Sequence, residues 1–183
     1  MATTRSLSES RATLHRVAVH IVARSRVETT GRFSLRVTPG GFGTPDSGTG
    51  GRVRVSRDRL LVESDAAGSP SVRSCPIDGS TLADLSAFAG VDLAGPLDVG
   101  HDTPPVGDVD AVLELDAAAA TGLAEWYGVV AAILDEVTSR VAGDREITLA
   151  RLWPEHFDVA IEAQATPAER VNLGGSPGDG VCD

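Results

Sequence analysis

The sequence contains no lysine, so all 16 of its basic residues are arginines. The glycine-rich stretch 39–51 therefore lacks a P-loop lysine, and we interpret it as a turn-rich loop. Aromatic residues make up only 4% of the chain, which leaves Leu, Val, Ile and Ala to fill the interior. The two cysteines, Cys75 and Cys182, are too few for a disulfide framework and favour a reduced, cytoplasmic protein.

Long apolar runs are also missing. The best N-terminal run, from Val17 to Ala23, is short and is interrupted by His20. We therefore expect neither a signal peptide nor a transmembrane helix, and no membrane partner. At 183 residues, with no internal repeat and no linker, the chain fits a single domain spanning 1–183.

Negative charge is unevenly distributed along the chain. Residues 1–73 hold 12 arginines against 6 acids, whereas residues 74–183 hold 4 arginines against 20 acids. A basic first part is typical of a nucleic-acid or phosphate surface, but the overall charge of −10 repels polyanions. Nucleic acid is thus an unlikely partner, and we expect the arginines to pair with carboxylates within the fold.

Three helices carry local start signals. Ser6 and Glu9 have capping-box spacing ahead of an apolar stripe. A short helix is predicted from Ser80 or Thr81. Asp116 is a suitable N-cap for the longest helix, which we expect to run to about 142 and to end at Gly143.

Period-two alternation predicts strands between these helices. The runs are 33–37, 53–55, 60–62, 147–153, 157–163 and 170–173, with a weaker one near Val72. Antiparallel strands interrupted by a long helix are typical of the α+β class. We expect one antiparallel sheet, with the N-terminal helix and one long central helix packed on one face.

The stretch LWPEHFDVAI, residues 152–161, contains the densest set of candidate site residues. His156 and Asp158 are two apart and would share a strand face, which suits two ligands of a divalent metal such as Zn, Mn or Fe. His101 and Asp102 could complete that metal site, and Glu155 would then be a general base or a partner of the ligands. Alternatively, these side chains are simply the polar face of a half-covered strand.

Arg151 interrupts an apolar strand face that it shares with Ile147, Leu149 and Trp153. A buried guanidinium needs a partner, because an unpaired charge is costly. The partner is either an internal carboxylate or an anionic ligand. Arg151 and Trp153 are therefore the predicted ligand-binding residues, although Trp153 is also suited to anchor the core.

Several motifs occur together in one order: GRFSLRVTPGGFGTP, GHDTPP, LWPEHFDVAI and RVNLGGSPGD. Together they resemble a family of uncharacterised actinobacterial proteins over about residues 14–179. The resemblance implies no activity, but it implies that these polar turns are the family's signature. It also implies that relatives continue into a further aromatic strand. The present chain would then be C-terminally truncated, with an open sheet edge through which copies could form a homo-oligomer.

Two functions fit these observations. We expect a non-catalytic small-ligand-binding or interaction protein, because most polar motifs in a single sequence are structural. The alternative is a metal-dependent, hydrolase-like enzyme that uses His101, Asp102, His156 and Asp158. The enzyme requires the segments 100–104 and 155–158 to converge on one pocket, whereas the binding protein does not.

Overall fold

A computed structural model of the protein describes residues 6–46, 51–66, 69–97, 103–141, 146–166 and 169–178. The fold is α+β, as the sequence predicts. Its helices are α1 (Leu7–Val17), a π-helical segment (Ala18–Ala23), α2 (Arg24–Thr30), α3 (Leu82–Ala89) and α4 (Ala117–Val141). Its strands are β1 (Arg36–Thr38), β2 (Gly41–Gly43), β3 (Gly51–Ser56), β4 (Arg59–Ala66), β5 (Ser69–Pro76), β6 (Arg151–Trp153), β7 (Asp158–Thr166) and β8 (Glu169–Gly175).

The helix starts follow the predicted caps. The Ser6 hydroxyl accepts from the Glu9 amide at 3.2 Å, and the Glu9 carboxylate accepts from the Ser6 amide at 2.9 Å. Thr81 and Asp84 form the same capping box at α3, and the Asp116 carboxylate accepts from the Ala119 amide at 2.8 Å. These satisfy amides that have no partner within the helix. The predicted end of α4 at 142–143 lies outside the described residues.

The expectation of a single sheet is wrong, because the strands form two antiparallel sheets. The first is a meander in the order β1-β2-β3-β4-β5, and the second has the order β6-β7-β8. One bridge joins them: the Leu35 amide donates to the Leu152 carbonyl at 2.7 Å, and the Leu152 amide donates to the Leu35 carbonyl at 3.0 Å. Next to this pair, Arg36 lies opposite Arg151 across the two strands. Like charges placed opposite each other destabilise the pairing of strands.

The core lies where the helices meet both sheets. Val17, Ile21 and Val22 of the N-terminal helical run are completely buried. One continuous apolar cluster contains these residues together with residues of both sheets. By length and composition α4 could also cross a membrane, but its four buried residues, Ala120, Leu123, Tyr127 and Leu134, belong to this core.

Several local predictions differ from the structure. The predicted strands 33–37 and 147–153 are observed as β1 (Arg36–Thr38) and β6 (Arg151–Trp153), with only isolated bridges at Leu35 and Ile147. Strand β2 lies inside the stretch that we interpreted as a loop, and β5 is a full strand of eight residues. His156 and Phe157 belong to a turn, since β7 begins at Asp158. Among the described residues, β5 and β8 are the outer strands and pair on one side only.

Candidate functional site: an arginine-lined cleft

The turn Pro154–Phe157, which joins β6 to β7, is fixed to the helices around it. Phe157 has a φ of 57°, a left-handed conformation that is uncommon outside glycine. Its buried ring is stacked on the His15 ring at 5.1 Å and meets the rings of Phe42 and Tyr127 edge-on, both at 5.3 Å. The Tyr127 hydroxyl donates to the Phe157 carbonyl at 2.7 Å. This part of LWPEHFDVAI is thus an anchor between helix and sheet.

The polar residues in this turn, and Asp158 directly after it, have different environments. Glu155 is 7% exposed, whereas His156 is exposed. Asp158 is half-buried; burial raises the pKa of its carboxyl, and the nearby His156 partly offsets that rise. His15 Nε2 lies 2.8 Å from the Pro154 carbonyl oxygen, and Arg11 Nη2 donates to the His156 carbonyl at 3.4 Å. Backbone carbonyls of the turn are therefore held by α1.

Of the four predicted metal ligands, His156 and Asp158 lie among the described residues. His101 and Asp102 lie outside the described residues, so their distance from His156 and Asp158 is not defined. Within the described ranges, no group of three or more His, Cys, Asp or Glu side chains is arranged to hold a metal ion. The metal ligands and the proposed role of Glu155 as a base therefore stay predictions.

A different cleft contains the two residues that we predicted to bind a ligand. Arg151 and Trp153 line it from β6, at the junction of the two sheets. Its volume is about 530 Å³. We call it the arginine cleft, because its lining includes four arginines: Arg26, Gly31, Arg32, Phe33, Ser34, Leu35, Arg36, Pro45, Arg151 and Trp153.

Two of the four guanidinium groups are held in place by neutral acceptors. Arg26 Nη1 donates to the Ser34 hydroxyl at 2.9 Å, and Arg36 Nη1 donates to the Ala150 carbonyl at 2.6 Å. Each guanidinium has five N–H donors, so most of the donors of Arg26 and Arg36 remain available. The side chains of Arg32 and Arg151 form no hydrogen bond with any residue in the described part of the chain.

The positive charge of the arginine cleft has no direct counter-charge in the part of the chain that the structure describes. Among the described residues, no carboxylate lies within 4.0 Å of the guanidinium groups of Arg26, Arg32, Arg36 or Arg151. Burial lowers the pKa of Arg26, and the three other arginines of the cleft lower it further. Burial and Arg151 also lower the pKa of Arg36, partly offset by Asp135. All four stay charged at neutral pH, so they repel one another.

Only some of the arginines elsewhere pair with carboxylates in the way that the charge pattern predicts. Arg54 Nε lies 2.6 Å from Glu63, Arg140 Nε lies 2.6 Å from Glu136, and Arg170 Nη2 lies 3.7 Å from Glu146. Among the described residues, those outside the cleft with no carboxylate within 4.0 Å are Arg11, Arg16, Arg24, Arg57, Arg59 and Arg73. Internal pairing, which we expected for the arginines in general, thus does not extend to the arginine cleft within the described residues. What distinguishes the cleft as a candidate site is that four such guanidinium groups line one cavity.

Sequence reasoning found only part of this site. It singled out Arg151 and Trp153, but not Arg26, Arg32, Arg36 or the Phe33 ring, whose centroid is 5.9 Å from that of Trp153. A signal was present in the alternation of Arg32, Ser34 and Arg36 along a predicted strand. Arg26 comes from α2, and a residue pattern alone does not place a helix against a sheet.

No family model, curated protein or solved structure that was compared with this chain matches it. The resemblance to uncharacterised actinobacterial proteins therefore stays a prediction, and function has to be inferred from the side chains of the arginine cleft.

Proposed function

We propose that this protein is a non-catalytic binding protein for a small anionic ligand, and that the ligand occupies the arginine cleft. The observation that carries the proposal is the convergence of four guanidinium groups with no carboxylate within 4.0 Å in the described part of the chain. An anion placed among them would replace mutual repulsion with charge-assisted hydrogen bonds. Guanidinium groups are well suited to bind phosphate or carboxylate in a bidentate manner.

The chemistry of the lining favours binding over catalysis. Its described residues include no histidine, cysteine or carboxylate, and Ser34 supplies the only hydroxyl. Arginine does not exchange its proton near neutral pH, so these groups can hold a negative charge but cannot act as a general acid or base. The half-buried Asp158 is the first residue of β7 and is not part of the described lining.

The proposal is tested by the melting temperature in the presence of inorganic pyrophosphate at low ionic strength. A ligand that binds only the folded state raises the melting temperature, and added sodium chloride should weaken the effect because these charges are partly exposed. Arg32→Gln and Arg151→Gln are the test variants, since neither guanidinium holds a described part of the fold together. Each should weaken pyrophosphate binding by about tenfold or more, as measured by calorimetry.

Arg140→Gln is the matched control. Its guanidinium is 76% exposed on α4 and pairs with Glu136, so pyrophosphate affinity should stay unchanged. The proposal is wrong if pyrophosphate does not stabilise the protein at low salt. It is equally wrong if the stabilisation survives in the double variant Arg32→Gln/Arg151→Gln.

A further inference from the structure

We propose that the ligand of the arginine cleft is a nucleoside phosphate, a small molecule that combines a planar aromatic ring with a phosphate group. This inference rests on the proposed function and names its ligand class. It is carried by two features that lie side by side in one cleft: four guanidinium groups with no carboxylate within 4.0 Å among the described residues, and the aromatic pair Phe33 and Trp153.

The strand geometry places a ring and a cation at a fixed spacing. Arg151 and Trp153 are two residues apart in β6, so their side chains leave the same face of the strand about 7 Å apart. That separation is comparable to the span between the base and the phosphate of a nucleotide. Arg36 lies beside Arg151 across the Leu35–Leu152 bridge, which adds a second guanidinium at the phosphate end.

The aromatic end of the cleft has room for a ring. Phe33 and Trp153 are both half-buried, and their rings are tilted by 58° to each other. They are therefore not stacked on one another, and the faces that they leave uncovered can accept a planar group. Stacking of a base on an aromatic side chain is favourable for every base, because each base has a π face.

The size and charge of the cleft favour a small molecule over a polymer. A volume of about 530 Å³ is within the usual range for small-ligand sites. The chain as a whole has a net charge of −10, which repels a long polyanion but acts little on one phosphate within the arginine cleft. The described lining residues include no carboxylate that could accept hydrogen bonds from the ribose hydroxyls. Their only side-chain hydroxyl that could bind the edge of a base is that of Ser34. We therefore expect little discrimination between bases.

The test compares three probes on one reporter. Trp126→Phe leaves Trp153 as the only tryptophan, and its fluorescence is followed during titration with adenosine 5′-monophosphate, ribose 5-phosphate and pyrophosphate. We expect the nucleotide to quench Trp153 and to bind about tenfold tighter than ribose 5-phosphate, which has the phosphate but no ring. Trp153→Leu, followed by calorimetry in the unaltered Trp126 background, should abolish the advantage of the nucleotide over ribose 5-phosphate. Trp153→Phe keeps a ring and should restore most of it.

The outcomes separate this inference from the proposed function. Equal affinities for adenosine 5′-monophosphate and ribose 5-phosphate, with normal pyrophosphate binding, would overturn the nucleoside phosphate and leave the anion-binding function intact. Loss of pyrophosphate binding in Trp153→Leu would mean that the residue holds the arginine cleft together, which also overturns its role as a ring contact. A single-stranded oligonucleotide is titrated in the same way as a fourth probe. If it binds more tightly than the mononucleotide, the ligand is a nucleic-acid polymer and the small-molecule proposal is overturned. Absence of binding by all probes would remove both proposals.

Discussion

His15 and His20 each point Nε2 at a backbone carbonyl oxygen, that of Pro154 at 2.8 Å and that of Pro104 at 2.9 Å. A carbonyl oxygen only accepts, so Nε2 carries the proton and donates it in both residues. Burial is the main cause that lowers the pKa of each imidazole, and the neighbouring Arg11 and Arg24 add to it. The two histidines thus hold distant segments while uncharged.

The stability of the protein should therefore fall on mild acidification. Below the ordinary histidine pKa of 6.5, His15 and His20 become protonated in the unfolded chain while they remain neutral in the folded protein. Unfolding then becomes more favourable as the pH drops, by at most about 1.4 kcal/mol per pH unit for each histidine. Above about pH 7.5 both states are neutral and this dependence should vanish.

Urea unfolding across this pH range checks the prediction, with His15→Gln/His20→Gln as the comparison. The double variant should lose part of the dependence between about pH 5.5 and 7.5, because glutamine keeps an N–H donor without titrating. Asp158 acts in the opposite direction, since burial raises its pKa, and that contribution is the same in both proteins. Identical pH slopes would show that the two imidazoles do not govern this effect.

At the scale of elements, one hydrogen bond adds to the aromatic contact between α4 and the turn Pro154–Phe157. Tyr127 is 1% exposed and donates to the Phe157 carbonyl at 2.7 Å. Burial raises the pKa of Tyr127, so the hydroxyl stays protonated and keeps donating. Tyr127→Phe would leave that carbonyl buried without its donor and should lower the free energy of unfolding by about 1–3 kcal/mol.

Ser139→Ala is the matched control for Tyr127→Phe, and urea unfolding is the measurement. Its exposed hydroxyl also donates to a backbone carbonyl on α4, that of Glu136 at 2.8 Å. Because water replaces that bond, the change should stay within about 0.5 kcal/mol. Equal effects of the two substitutions would mean that the Tyr127 hydroxyl does not fasten the turn.

The elements that the sequence predicted are those with local signals. Ser6 with Glu9, and Asp116, mark helix starts by side chains that bind amides within the same turn. Strand β2 has no such signal, because its glycines suggest a loop. A Cβ on Gly43 would lie 2.3 Å from the Arg54 Cβ, so glycine is required there by the close approach of β3. That approach is tertiary and cannot be read from a local pattern.

At the scale of the whole molecule, the two sheets should unfold as one unit. Leu35 and Leu152 are completely buried, join the sheets through two hydrogen bonds and belong to the single apolar cluster. Leu152→Ala should lower the free energy of unfolding by about 2–5 kcal/mol. Tryptophan fluorescence, which reports on α4 and β6, should shift together with far-UV circular dichroism.

Leu149→Ala is the matched control, because Leu149 is 61% exposed and lies close by in the chain. Its effect should be within about 0.5 kcal/mol. Two separate transitions, with only one moved by Leu152→Ala, would contradict joint unfolding of the sheets.

The overall class of the fold follows from the sequence, but the number of sheets does not. Period-two runs predict strands, but a local pattern does not say which residue faces Arg151 across the two sheets. In the fold that residue is Arg36, some 115 positions away in the chain. The two strands meet over a long distance in sequence, and their meeting also brings Arg36 and Arg151 together in the arginine cleft. Neither the junction of the sheets nor the cleft could therefore be predicted from a local pattern of residues.

The two outer strands differ in how they would meet another molecule. Strand β5 contains Pro70 and Pro76, and proline has no N–H to offer an incoming strand. Strand β8 contains no proline, and its Val171 and Leu173 are 53% and 47% exposed. Aggregation by strand addition in concentrated solution should therefore begin at β8. The prolines of β5 make it a poor partner for a strand from another molecule.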